Sequence, residues 1–168
     1  MAIQHTYQEI LLALSKAKVR FLIAGGIAMN IHGLERATHD LDLIVFLDRD
    51  NVLKFIKVMK RLGYEPKIPV KAEDFAVESL RQKWIKEKGM VVFSFFHPKN
   101  VFEVIDVFVY HPRPFEQMFK ARKVANLLGQ KIAAVGLEDM LYLKRLANRP
   151  KDELDLRYLE NVLRKKRE

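Results

Sequence analysis

Residues 21–46 of the 168-residue chain read FLIAGGIAMNIHGLERATHDLDLIVF, and this stretch decides the fold. An apolar run ends at Gly25 and Gly26, and a short helix to about Ile31 is expected after it. Two glycines between a strand and a helix suit a backbone that passes close to a phosphate, because the first N–H groups of a helix are free to donate. A tight turn with positive φ at either glycine explains the same pair without a ligand.

Asp40 and Asp42 lie on a second predicted strand. Alternate residues of a strand share a face, so the two carboxylates are expected side by side. Such a pair repels itself unless a cation or a shared proton intervenes, and Mg²⁺ favours carboxylates together with substrate phosphates. If the chain is extended from Arg36, then Arg36 and Thr38 add a cation and a hydroxyl to this face. The pattern alone also fits a half-exposed strand whose polar side chains face solvent.

A third carboxylate, Asp106, interrupts the strand-like sequence FEVIDVFV at residues 102–109. Burying an unpaired carboxylate costs several kcal/mol, so a metal ion or a basic side chain is expected beside it. An edge strand with Asp106 in water is the alternative. Glu103 lies on the opposite face of the strand and is less suited to join the aspartate pair.

Lys144 lies in the middle of the apolar arc of a helix predicted over residues 137–147. A lysine there reaches into a cleft, where it contacts a phosphate, or pairs with an acid. Asp155 lies on the apolar arc of the last predicted helix and is expected to pair with Lys144 or Arg149. Asp152 is expected to cap that last helix.

Composition favours an ordinary globular protein with an anionic partner. The formal net charge is +9 and the isoelectric point is about 9.7, which suits nucleic acid or nucleotide, although a basic surface without such a role is equally compatible. Cysteine is absent, so a reducing cytoplasm is expected. No apolar run is long enough to span a bilayer, and MAIQHTYQEI lacks the features of a signal peptide.

The remaining sequence predicts alternating helices and strands. Thr6 and Glu9 fit a capping box for a helix to about Lys16, and Asp48 fits the cap of a helix that ends before Gly63. The other predicted elements are a helix over 71–88, strands over 90–96 and 101–110 joined by a turn at 97–100, a hairpin centred on Gly129-Gln130, and helices over 137–147 and 151–165.

Four motifs occur in this chain: GGxA at 25–28, HGxxRxT at 32–38, DLDL at 40–43 and IDVF at 105–108. This combination resembles the DNA polymerase β-like nucleotidyltransferase superfamily. It is most similar to the small prokaryotic branch related to AbiEii-type toxins of toxin–antitoxin systems. The sequence MLYLKRLANRPKDELDL at 140–156 also resembles the helical tail of that branch.

The resemblance implies an α/β (α+β) fold, with a mixed sheet flanked by helices and a helical C-terminal segment. At 168 residues the chain is expected to form one domain, with a catalytic core at about 19–110 and C-terminal helices at about 137–166. The family mechanism implies Mg²⁺ or Mn²⁺ on Asp40, Asp42 and Asp106, with Asp106 also helping to deprotonate the acceptor hydroxyl.

The implied activity is transfer of a nucleoside monophosphate from a triphosphate such as ATP to a hydroxyl of an RNA (tRNA included), a protein or a small molecule. The residues predicted to handle the phosphates are Gly25, Gly26, Arg36, Thr38 and Lys144. Many family members have Gly-Ser in the turn, whereas here Gly26 is followed by Ile27, which leaves only backbone donors. A catalytically inactive nucleotide- or RNA-binding module with the same fold is therefore the alternative.

Overall fold

The computed structural model describes residues 5–168. Its α-helices are α1 His5–Lys16, α2 Gly25–Ile31, α3 Arg49–Arg61, α4 Glu78–Lys88, α5 Phe115–Lys120, α6 Leu137–Ala147 and α7 Glu153–Arg167. Its strands are β1 Phe21–Ala24, β2 Asp40–Val45, β3 Glu65–Pro66, β4 Val92–His97, β5 Asn100–Phe108, β6 Lys123–Leu127 and β7 Gln130–Ala134. Short 3-10 helices lie at Ala72–Ala76 and Pro150–Asp152.

Within the described residues, the strands form one seven-stranded sheet in the order β3-β4-β5-β2-β1-β7-β6. The β2–β5 and β1–β7 pairs are parallel, and the other neighbouring strands are antiparallel. The mixed sheet flanked by helices and followed by a helical C-terminal segment confirms the predicted fold class. Over residues 5–168 we find no helix with the length and apolar character needed to cross a bilayer.

The core lies against the central strands and fixes how β2 presents its side chains. Leu41 and Leu43 are completely buried, whereas Asp40 is exposed and Asp42 is partly buried on the other face. Each large apolar side chain removed from water contributes about 1.5–3 kcal/mol, so a register slip that exchanged the two faces would be strongly disfavoured. Packing of the leucines therefore holds the aspartates in place.

Helix α3 begins as the sequence predicts. Asp48 is its N-cap, and the Asp48 carboxylate accepts hydrogen bonds from the backbone N–H groups of Asp50 and Asn51. Gly63 follows the end of the helix with φ +84°, a left-handed conformation that glycine adopts without strain.

Helix α1 corrects the capping-box prediction. His5 is already helical, so Thr6 lies inside α1 and is not its N-cap. The Thr6 hydroxyl instead donates to a carboxylate oxygen of Glu103 at 3.0 Å. Glu103 also accepts from the hydroxyl of Tyr64, which confirms that this acid lies away from the aspartate pair.

The helix predicted over 71–88 is also wrong, because Val77 is extended and separates a 3-10 turn from α4. The guanidinium of Arg81 donates to the Phe75 carbonyl oxygen at 2.7 Å, so that carbonyl is taken by a side chain where the chain changes direction. The second hairpin turns at Leu128 and Gly129, one residue earlier than predicted. Both residues have positive φ, as a type I′ turn requires.

Candidate active site

The three predicted carboxylates lie on neighbouring strands along one cleft of about 750 Å³, which we call the carboxylate cleft. The parallel register of β2 and β5 sets Asp42 directly beside Asp106, and Asp40 is two residues earlier on the same face of β2. On the other side of Asp106, β4 places Ser94, whose hydroxyl donates to the Asp106 carboxylate. Residues distant in sequence are thus brought into one row.

Two of the three carboxylates, Asp42 and Asp106, have a raised affinity for protons. Burial, followed by the charges of Asp106 and Asp40, raises the pKa of Asp42 to about 6. Burial also raises the pKa of Asp106, against the hydrogen bond from Ser94, which acts in the opposite direction. Within residues 5–168, none of the three carboxylates forms an ion pair with a basic side chain. The row is therefore short of positive charge.

A divalent cation fits this chemistry. Mg²⁺ and Mn²⁺ take hard oxygen ligands, and Mg²⁺ in particular is held by one or two carboxylates, with waters and substrate phosphates filling the remaining positions. Asp40 and Asp42 offer two such carboxylates from one strand face, and Asp106 offers a third. In the described part of the chain no three His, Asp or Glu side chains are grouped to hold an ion without other ligands. These carboxylates therefore suit an ion whose remaining coordination positions would be filled by water and substrate.

The glycine turn approaches the aspartates too closely for any other residue. Gly25 has φ +61°, and a Cβ built on it would lie 2.7 Å from Asp42 Cγ and nearer still to the carboxylate. A Cβ on Gly26 would lie 2.6 Å from the Thr38 hydroxyl oxygen. A positive φ and the contact with Asp42 therefore require glycine at position 25, and the contact with Thr38 favours glycine at position 26.

Arg36 and Thr38 reach the carboxylate cleft from residues 32–39, which we call the cleft loop. Strand β2 begins at Asp40, so Arg36 and Thr38 belong to a loop that leads into the strand. The side-chain amide of Asn30 donates to the Arg36 carbonyl and accepts from its N–H, which fixes the loop backbone. At the far end of the loop, the hydroxyl of Tyr7 donates to the His39 carbonyl.

Lys144 lies in the wall of the cleft with its ammonium between two carboxylates. It is 2.7 Å from Asp152 Oδ1 and 2.7 Å from Asp155 Oδ2, and its side chain is 8% exposed. The expected pairing of Asp155 with Lys144 is confirmed, whereas Asp152 makes no side-chain cap to α7 and instead binds Lys144 and Arg149. A direct contact between Lys144 and phosphate stays a prediction.

Sequence reasoning missed several cleft residues. Ser94 could have been found from the strand pairing, since it is the small polar residue across from Asp106. Arg149 and Lys151 add positive charge at the cleft, and helical periodicity does not show this because both lie in the turn between α6 and α7. The apolar part of the lining comes from β4, β5, the segment after β5, and α6: Val92, Phe108, Tyr110, Met140, Leu143 and Leu146.

The fold is shared with solved nucleotidyltransferases. The lincosamide antibiotic adenylyltransferase LnuA, solved with lincomycin bound, superposes with a TM-score of 0.63 at 15% identity, over 96% of this chain and 98% of that one. A nucleotidyltransferase from Thermotoga maritima, TM1012, gives 0.56 at 13% identity, over 96% of both chains. ANT(2″)-Ia in complex with adenylyl-2″-tobramycin gives 0.58 at 15% identity, over 94% of this chain and 87% of that one.

No protein-family model matches the sequence, and no curated protein matches it. At 13–15% identity, the structural similarity establishes the fold, which is that of the polymerase β-like nucleotidyltransferases. The AbiEii-type branch within that fold stays a prediction.

Proposed function

We propose that this protein is a metal-dependent nucleotidyltransferase that moves a nucleoside monophosphate from a triphosphate to an acceptor hydroxyl. The observation that carries the proposal is the row of Asp40, Asp42 and Asp106 along one cleft, beside a glycine turn, without basic partners. A fold that buries carboxylates without neutralising them leaves a position for an external cation.

Asp40 and Asp42 would hold Mg²⁺ or Mn²⁺, and Asp106 would act as a further ligand or as the base. The bound metal would neutralise the phosphate charge and orient the reacting oxygens. In the transfer, the acceptor oxygen forms a bond to the α-phosphorus while the bridging bond to the β-phosphate breaks. The acceptor proton goes to the Asp106 carboxylate, and pyrophosphate leaves. Its raised proton affinity suits Asp106 to that role.

The triphosphate would lie along the glycine turn and the cleft loop. Backbone N–H groups at Gly25 and Gly26 replace the serine that many members of the fold carry there. The hydroxyl of Thr38 lies against Gly26 and donates to the Asp40 carbonyl oxygen, so Thr38 would shape this part of the turn. Arg36 would add a positive charge from the cleft loop. Lys144 also lines the cleft but already pairs with Asp152 and Asp155, so its contact with phosphate stays a prediction.

The charge of the rim favours an anionic acceptor such as RNA. Arg149 and the exposed Lys151 line the cleft, and Asp152, the acidic lining residue outside the carboxylate row, is already paired with Lys144 and Arg149. The formal net charge of +9 also favours RNA through long-range attraction.

A nucleotide- or RNA-binding module without turnover is the second candidate. The turn sequence Gly26-Ile27 lacks the serine hydroxyl, and no three carboxylates of residues 5–168 are grouped to hold an ion by themselves. Both features would weaken catalysis more than binding, since transfer demands metal ions in fixed positions.

The test supplies each α-labelled nucleoside triphosphate with Mg²⁺ or Mn²⁺ to the purified protein, together with total RNA, a protein extract, lincomycin or tobramycin. The wild type is compared with Asp40→Asn/Asp42→Asn and with the matched surface variant Asp50→Asn. We expect transfer to RNA that falls at least 100-fold in the double variant and is unchanged in Asp50→Asn. Nucleotide binding without transfer to any acceptor would establish the binding module, and equal transfer by all three proteins would refute the assigned carboxylates.

A further inference from the structure

Helix α7 makes two contacts with the cleft loop, which runs over residues 32–39 beside the carboxylates. The Asp155 carboxylate forms an ion pair with the Arg36 guanidinium. One turn further along the helix, the Tyr158 hydroxyl donates to the carbonyl oxygen of His32 at 3.0 Å. The cleft loop and α7 are more than a hundred residues apart in sequence, so these two contacts depend on how the C-terminal helices pack.

The carboxylate of Asp155 is nearly inaccessible, with its side chain 5% exposed. An ionised group at such a depth requires compensation from more than one side. Lys144 on α6 provides it, because its ammonium contacts Asp155 Oδ2 and Asp152 Oδ1, each at 2.7 Å. A chain of charges therefore runs from α6 through α7 to the cleft loop.

The loop backbone and the loop side chains are fixed by different partners. The side-chain amide of Asn30 both donates to and accepts from the Arg36 backbone, and the Tyr158 hydroxyl of α7 holds the loop backbone at His32. The guanidinium of Arg36, in contrast, has Asp155 as its carboxylate partner and still lines the cleft with a third of its side chain exposed. Asp155 thus decides where the positive charge of Arg36 points.

We propose that Asp155 and Tyr158 are positioning residues, through which α7 sets the cleft loop and aims Arg36 at the substrate phosphates, with Lys144 as their buried counter-ion. This inference rests on the proposed function for the identity of the ligand. The loop geometry itself can be tested without any ligand, so the two can fail separately.

Tight packing near Gly33 supports the contact at Tyr158. A Cβ on Gly33 would lie 3.3 Å from the Tyr158 hydroxyl, and Gly33 has φ +96°, a conformation that other residues rarely adopt. The loop therefore turns at Gly33, in contact with the Tyr158 hydroxyl. Removing only the hydroxyl, in Tyr158→Phe, keeps the ring and removes the hydrogen bond from Tyr158 to the His32 carbonyl oxygen.

The first measurement is amide hydrogen exchange of a peptide covering residues 32–39, in the protein without ligand. The variants are Asp155→Asn, Tyr158→Phe and their combination, with Glu153→Gln as the matched control. Glu153 is an exposed acid in the first turn of the same helix, paired with Arg157 at the surface. We expect exchange of the loop peptide to rise about tenfold in the combined variant, with the core strands still protected, and to be unchanged in Glu153→Gln.

The second measurement is the dissociation constant of each Mg²⁺–nucleoside triphosphate, read by calorimetry. Asp155→Asn and Arg36→Met are each expected to weaken binding about tenfold, and the double variant no further, because both remove the same interaction. If the dissociation constant of the double variant rises by the product of the two single-variant factors, the two residues act independently and the proposed role of Asp155 is wrong. If no triphosphate binds the wild type, the proposed function fails, and loop exchange alone decides: an unchanged loop in the combined variant refutes the inference.

Discussion

Replacing Asp42 with asparagine should make the metal-free protein more stable at neutral pH, although the side chain is central to the proposed site. Burial and two neighbouring carboxylates raise the pKa of Asp42 from 3.8 to about 6. The folded state thus binds the Asp42 proton more tightly than the unfolded state does. Well below pH 3.8 the residue is protonated in both states. Between about pH 4 and pH 6 the unfolded state loses this proton while the folded state keeps it, so the cost in stability grows over that range and is constant above it.

The size of this cost follows from the pKa. A displacement from 3.8 to about 6 corresponds to about 3 kcal/mol at about 1.4 kcal/mol for each pKa unit. Water in the cleft screens part of this, so we expect Asp42→Asn to raise the free energy of unfolding by about 1–3 kcal/mol at pH 7.5. The gain should fall to about 0.5 kcal/mol or less at pH 4, because the folded state then keeps the Asp42 proton and the unfolded state has only begun to lose it.

Urea unfolding with EDTA at pH 4.0, 5.5 and 7.5 measures the difference between wild type and variant. Asp50→Asn is the control, since Asp50 is exposed in the first turn of α3, where a negative charge favours the helix. That variant should lose a few tenths of a kcal/mol. Addition of Mg²⁺ with nucleoside triphosphate should stabilise the wild type more than Asp42→Asn. The electrostatic reasoning would be refuted if Asp42→Asn were less stable than the wild type at pH 7.5. It would also be refuted if the difference in the free energy of unfolding between the two proteins were the same at all three pH values.

Two further substitutions test the geometry of the site. Gly25→Ala and Gly89→Ala impose the same positive-φ cost of about 1–2 kcal/mol, but only at Gly25 does the added carbon collide with Asp42. Transfer assays should therefore show at least a 100-fold loss for Gly25→Ala and none for Gly89→Ala, and equal losses would argue against the collision. Ser94→Ala removes a hydrogen bond that lowers the pKa of Asp106. The acidic limb of the kcat/KM profile should move to higher pH, and an unmoved limb would exclude Asp106 as the base.

Local chemistry explains why much of the fold was predictable from the sequence. The alternation of Asp40 and Asp42 with buried leucines fixes both the strand and its orientation. Asp48 caps α3 through its own side chain, and a glycine follows the end of that helix. Each of these features depends on residues within a few positions of one another, so the sequence pattern carries the information directly.

The features that were mispredicted or missed depend on partners distant in sequence. Thr6 has the residue type and spacing of a cap, yet Glu103, nearly a hundred residues away, accepts its hydrogen bond. The break at Val77 coincides with an arginine side chain that binds a backbone carbonyl. Ser94 is notable only once β4 is known to pair with β5 in that register. Periodicity describes single elements, whereas these contacts depend on how the elements meet.

Two neighbouring groups of carboxylates differ in whether basic side chains neutralise them, and this contrast is the strongest argument for a bound cation. Asp152 and Asp155 are buried with Lys144 between them and an arginine on each outer side. The fold is thus able to neutralise acids at this depth. Asp42, a short distance across the cleft, is left with two other carboxylates as its largest electrostatic neighbours. A structural role alone would not require that difference, because replacing one aspartate by an uncharged residue would relieve the repulsion. The proposed activity accounts for the unneutralised row, because positive charge that arrived with the substrate would offset the cost expected in the metal-free protein.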